Sequence, residues 1–334
     1  HASNALTCTP LPVTVKACLD SAVPCTTPYT GTNPPLSASL SPAGWSGLNF
    51  AGGVASAQLA VRTPGTVRMN VSSSAPPLKA LGQTWCKSGA NAWGTGTACD
   101  VAFADSGFIF DVPTLLARKP QSNISLQAVR TNPTTQSCDP AFSSGTRDIL
   151  FTRSYTDPNT GTADVLVNDV VLGAAGSTVS LNFGSNATTQ LKVQYNDAGQ
   201  MTLNARYAPS SGAENGLVMT GSDLFVSKPY GLLLQTDAIS SCTADISCPL
   251  YPGGVRAGDP FSLRLKAVAW QSDGEALTAA ALADNPATPN FRLNNIALSS
   301  QVQAPAGGSD GVVGSASSYD HTLGNQTTVS RSIS

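Results

Sequence analysis

The feature that most constrains this chain is a strict two-residue alternation of apolar and polar side chains, repeated along its length. Val13, Val15 and Ala17 alternate with Thr14, Lys16 and Cys18, and Val67, Met69 and Val71 alternate with Arg68 and Asn70. Ala57, Leu59 and Val61 interleave with Gln58 and Arg62. The pattern returns at Val179, Leu181 and Phe183, at Leu191, Val193 and Tyr195, and at Met201, Leu203, Ala205 and Tyr207. It appears again at Phe261, Leu263, Leu265 and Ala267. Successive side chains on a strand point to opposite faces, so each run buries one face and wets the other. That is the habit of antiparallel sandwiches. Helical periodicity is nearly absent; residues 275–283, with Leu277, Ala281 and Leu282, predict one short surface helix. The expected fold is all-β, made of tandem immunoglobulin-like antiparallel β-sandwiches.

At roughly 100–150 residues per domain, 334 residues make two or three domains. Turn formers punctuate the strands, among them Pro64-Gly65, Asp157-Pro158-Asn159 and Asp197-Ala198-Gly199. Pro64-Gly65 and Ala198-Gly199 each lead into an alternating strand, the form of a closing hairpin. The expected units are 1–80, a stapled connecting loop at 81–100, 101–226, and 227–334. The last lacks a closing hairpin and is expected to be one strand short, which leaves an edge for a strand from another chain or from sequence outside this chain.

Only 11% of residues are charged, and 18 basic against 20 acidic groups leave a net charge of −2. Such a chain has no electrostatic footprint for nucleic acid or an anionic membrane. No apolar run reaches the roughly 18 residues of a membrane-spanning helix. Eight cysteines, Cys8, Cys18, Cys25, Cys86, Cys99, Cys138, Cys242 and Cys248, point to an oxidising compartment. Eight thiols can pair in about a hundred ways. Short loops favour Cys18 with Cys25, Cys86 with Cys99 and Cys242 with Cys248, with Cys8 and Cys138 left for a long-range bridge. Zinc is disfavoured by the lack of any C-x-x-C pair and by only two histidines, His1 and His321.

Catalytic chemistry finds little purchase. A serine nucleophile needs a base, and His321 beside Asp320 reads as a surface histidine whose neighbour faces the other way. Glycoside hydrolysis needs paired carboxylates, but Asp105, Asp111, Asp148, Asp157, Asp164, Asp169, Asp223, Asp259, Glu214 and Glu275 are scattered. Copper monooxygenases on such sandwiches use an N-terminal histidine, so His1 with His321 is the pair to test for copper. No cofactor is expected, with calcium the exception to consider, through Asp157 and Asn159 with Asp197 or Asp284-Asn285. Trp85 and Trp93, in the 81–100 loop, are candidate stacking platforms for a sugar. The alternative is a small core packed on the stapled loop.

Short motifs in order along the chain carry a resemblance. They include Leu6-Thr7-Cys8, Gly44-Trp45-Ser46, Phe103-Ala104-Asp105-Ser106-Gly107-Phe108, Tyr195-Asn196-Asp197-Ala198-Gly199, Ala257-Gly258-Asp259-Pro260-Phe261 and Tyr319-Asp320-His321. In these the chain resembles the C-terminal region of the MshQ-like proteins of mannose-sensitive haemagglutinin (MSHA) pilus biogenesis, a type IV pilus system. The resemblance implies a non-enzymatic structural or adhesive component exported through the periplasm to the cell surface. Its implied partners are pilus or surface-filament proteins; the alternative is an adhesin module gripping a glycan or a surface. The family often carries a cysteine where this chain has Phe151-Thr152-Arg153, which leaves the partner of Cys138 open. Family members also extend beyond both ends of this chain, so His1 is expected to be an interior residue of a longer precursor.

Overall fold

The computed structural model describes residues 2, 4–31, 36–77, 82–89, 91–236, 258–302, 306–314 and 318–333. Cys242, Cys248 and His1 lie outside the described residues. Strands dominate, and the 3-10 turn Gly96–Cys99 is the one helical element among the described residues. The helix expected at 275–283 does not form. A single Leu282 N–H to Thr278 O bond of 3.0 Å closes one isolated turn there. Leu282 is buried while Leu277 is exposed, so no apolar stripe exists to hold a helix against the core.

The strands form three groups along the chain. In the first, Leu11–Lys16 pairs antiparallel with Val54–Leu59, which also holds Trp45–Ser46. Ser37–Ser41 pairs with Asn70–Ala75. Asp100–Ala104 lies between Asn4–Leu6, parallel, and Gly65–Arg68, antiparallel. The run read as one strand at 67–71 is therefore divided at buried Met69, whose two sides serve different sheets. Leu11, Val13, Leu59, Met69, Val101 and Phe103 make the core, together with Cys86 and Cys99.

The second group is one continuous ladder of strands that folds into two layers. One layer runs Val165–Val167, Thr188–Tyr195, Gln121–Thr131, Ser106–Phe110. The other runs Met219–Lys228, Gly199–Tyr207, Gly145–Asp157, Ser177–Phe183. Their inward residues share one core, in which Phe108, Leu126, Leu191 and Val193 meet Ile149, Phe151, Leu181 and Leu203. At roughly 1.5–3 kcal/mol per fully buried large side chain, this core supplies the main driving force of the unit. In the third group Phe261–Val268 lies between Gly231–Thr236 and Thr327–Arg331, and Leu293–Ala297 pairs with Ser318–His321. Gly231–Thr236 and Thr327–Arg331 are the edges of that sheet among the described residues.

The two layers of the second group close on each other at one parallel bridge, Thr220 with Gly107. Two glycines make the approach possible. A Cβ on Gly107 would stand 2.6 Å from the Thr220 carbonyl oxygen, and one on Gly221 would stand 2.5 Å from that of Phe108. Both obstacles are backbone, which cannot step aside as a side chain can. Gly221→Ala is expected to destabilise the protein by about 1–3 kcal/mol, the usual cost of overpacking. The measurement is the guanidinium unfolding midpoint; an unchanged midpoint would mean the layers are loosely closed.

Candidate functional site

The first site is the stapled loop. Cys86 and Cys99 are joined, and the Cys86 N–H and Gly94 N–H each donate to the other residue's carbonyl, at 2.8 and 3.0 Å. Trp85 and Trp93 each precede one member of that antiparallel bridge. By alternation both project to the face opposite the buried Cys86 side chain. They are 45% and 38% exposed, so the cysteines and not the tryptophans pack on the core. A groove of about 410 Å³ elsewhere on this group is lined by Arg68, Asn70, Gln83, Thr84 and Thr95 among others, and neither tryptophan lines it. Arg68 grips Asp100 with two hydrogen bonds of 2.6 and 2.9 Å, which lowers the Asp100 carboxyl below its usual range through that donation. Thr84 donates to Asn70 Oδ1 at 2.6 Å and accepts from the Val71 N–H at 3.2 Å. The two outward indoles are aromatic faces on which a sugar ring can stack.

The second feature is how successive groups are joined. Between the first and second groups, Cys8 is bonded to Cys138. Beside it, the Thr7 and Thr131 hydroxyls are 2.7 Å apart and the Thr131 N–H donates to Asp105 O at 2.6 Å. Cys18 and Cys25 are also bonded, within the first group. Bridges of this kind form and persist in oxidising compartments.

Between the second and third groups, the Asn290 N–H lies 3.3 Å from both carboxylate oxygens of Asp197, and Asn290 Nδ2 donates to the Tyr195 hydroxyl at 3.1 Å. The Trp270 N–H donates to Ala117 O at 2.9 Å, and Arg292 pairs with Asp157 at 2.6 Å. Lys119 pairs with Asp273 and stands 5.5 Å above the Trp270 ring. Trp270 lines a groove of about 350 Å³ with Arg118, Gln194 and Asp284. Asp197 is buried. Burial raises its carboxyl from 3.8 to about 6, against the opposing hydrogen bonds from the Ala198 and Asn290 N–H groups.

His321 is buried and not on the surface as expected, because it shares with Tyr319 the inward face of Ser318–His321. Its Nδ1 lies 3.1 Å from Phe291 O, and desolvation lowers its basicity. Asp320, on the outer face, accepts from the Asn295 N–H at 2.7 Å and does not meet the imidazole. Glu214 takes two bonds from Arg147, at 2.6 and 2.9 Å, and one from the Tyr207 hydroxyl at 2.6 Å. Asp223 accepts from the Val112 N–H at 2.7 Å and Asp148 from the Ser180 hydroxyl. Among the described residues no three His, Cys, Asp or Glu side chains gather to hold a metal ion. Of the calcium candidates, Asp157 and Asp197 are engaged in the second joint. Sequence reasoning missed the Arg147–Glu214 brace and the joint role of Asp197. The first spans 67 residues and leaves no local signature; the second reads locally as an ordinary turn aspartate.

Comparison with known families agrees with this architecture. Residues 83–222 match the first Ig-like domain of a domain of unknown function, DUF6701, and residues 228–330 match its second domain. The chain carries both DUF6701 domains. Residues 1–77 ahead of them match another domain of unknown function, DUF8613. No curated protein matches the chain. Among solved structures, the D0-D1 domain of intimin is similar over 67% of this chain and 94% of its own, with 11% identity and a TM-score of 0.28. The Yersinia pseudotuberculosis adhesin InvE is similar over 67% of this chain and 56% of its own, with 16% identity and a TM-score of 0.24. The Vibrio cholerae secreted serine protease VesC is similar over 68% and 44%, with 10% identity and a TM-score of 0.18. This chain thus spans about half of the InvE and VesC structures. TM-scores this low carry no information about activity.

The Asp197 joint has a pH signature. An acid whose folded pKa is raised favours the protonated form, so its full contribution to stability is present below about 4 and is lost as pH rises through about 6. Asp197→Asn keeps an acceptor for the Asn290 N–H but cannot ionise. The expected result is that the wild-type unfolding midpoint declines across that window relative to the variant. Parallel profiles would contradict it.

Proposed function

We propose that this DUF6701 protein is a non-catalytic, load-bearing element of a bacterial surface appendage, exported through the periplasm and displayed outside the cell. The observation that supports this best is that successive sandwich groups are fixed to one another. A disulfide and a hydroxyl pair join the first two, and Asp197, Tyr195 and Asn290 join the second to the third. A chain whose units only needed to be tethered would have no use for such joints. Three tandem sandwiches with few charges and several disulfides suit a stalk or tip exposed to shear. The MshQ-like resemblance makes an MSHA-type pilus the favoured appendage, with pilus or filament proteins as partners. Strand addition at the Gly231–Thr236 edge, where Leu232 and Leu234 are exposed, is the contact proposed for a neighbouring chain. The expected result is co-purification with sheared type IV pilin filaments and loss of surface filaments on deletion. Free chain in the medium with filaments intact would refute it.

A second reading is favoured by one observation, the two exposed indoles of the stapled loop. In this reading the first group is a glycan-binding tip. On a glycan array, Trp85→Ala and Trp93→Ala are each expected to weaken binding about tenfold, the loss of one stacked ring. No bound glycan, or binding untouched by both substitutions, would remove this reading.

A further inference from the structure

The third group holds a lysine, an asparagine and a glutamate in an arrangement no function above employs. Asn285 is fully buried, although it lies between strands. Its side-chain nitrogen donates to Ala269 O at 3.0 Å and to Glu275 Oε2 at 2.8 Å. These two acceptors fix the amide's orientation, because the flipped amide would set oxygen against oxygen. Oδ1 is then buried and accepts no hydrogen bond among the described residues, an unusual state for a buried polar atom. From the strand Phe261–Val268, the Lys266 Nζ donates to the main-chain oxygen of the same Asn285 at 2.7 Å. That oxygen and Cγ both stand two bonds from the same Cα, and the step proposed below requires the lysine stem to turn from the one to the other by a change of rotamer.

We propose that Lys266 and Asn285 join in an intramolecular isopeptide bond, with Glu275 as the proton carrier. The Lys266 ammonium first gives one proton to solvent; the resulting amine attacks Cγ through its lone pair, and the carbonyl oxygen takes up the developing charge. Glu275, in contact with Nδ2, delivers to that nitrogen the proton that the attacking amine gives up. The Cγ–Nδ2 bond breaks, ammonia leaves, and an Nζ–Cγ amide remains. The step consumes no oxidant, reductant or cofactor. Burial of the carboxamide excludes water as a rival nucleophile. Pro286 follows and has no N–H, so ammonia cannot be lost at Asn285 by attack of the next main-chain nitrogen. The product closes a loop across a sequence separation of 19 and fastens the central strand of the third sheet to the segment after it. This inference stands apart from the appendage reading.

The test is mass spectrometry of the full chain, folded, then reduced and denatured. The expected intact mass is one ammonia below the sequence mass. Trypsin cannot cut after an acylated lysine, so a peptide spanning 265–292 is expected to survive intact and one ammonia light. Lys266→Ala, Asn285→Ala and Glu275→Gln are each expected at their full sequence masses. A wild-type chain at its sequence mass that is cut after Lys266 overturns the proposal, as does an ammonia loss that maps outside 265–292.

Discussion

The rest of the structure leans on one covalent constraint, the bridge from Cys8 to Cys138. It anchors the end of the first strand to the second sandwich across a sequence separation of 130. In the chain-entropy view a loop that long removes about 5 kcal/mol of freedom from the unfolded chain. Its mechanical effect matters as much. Asn4–Leu6 pairs parallel with Asp100–Ala104, and Ser106–Phe110 follows one residue later in the second sandwich. With Cys8 fastened beside that crossing, the first group cannot swing about Asp105 without breaking a sulfur–sulfur bond or the main-chain bond from Thr131.

The second joint uses weaker forces arranged around a buried carboxylate. Asp197 sits where burial opposes its ionisation, and the Asn290 N–H approaches both of its oxygens. A lone buried charge is costly, so the joint holds best when that carboxyl is protonated or fully hydrogen-bonded. Around it, the Arg292–Asp157 and Lys119–Asp273 pairs are exposed and add little each. Among the described residues the molecule therefore has one covalent joint and one polar joint, with different responses to reductant and to pH.

Much of the fold was legible in the sequence because period-two alternation is a direct image of a strand with one wet face. Leu191, Val193 and Tyr195 are buried as their spacing demands, as are Met201, Leu203 and Ala205. The run at 67–71 shows the limit. Alternation continues smoothly through Met69, yet the chain changes sheets there, because a side chain can keep its inward direction while its backbone changes partner. The 275–283 helix failed because alanine content alone supplies propensity without a face to bury. His321 was misplaced because a polar setting in sequence says nothing of the Phe291 ring that covers it, 5.3 Å away. Arg147–Glu214 and Asn285–Glu275 depend on folding that brings distant or turning segments together. Trp85 and Trp93 were found because aromatics inside a cysteine-bounded loop are conspicuous, but only the structure shows that they share an outward face.

The central claim is that the three sandwich groups move as one body. The most direct measurement is residual dipolar coupling of backbone amides in a single alignment medium, with the disulfides intact. If the joints hold, the couplings from all three groups fit one alignment tensor of common magnitude and orientation. Separate tensors of unequal magnitude would show groups turning independently, and a rigid load-bearing array would then be wrong.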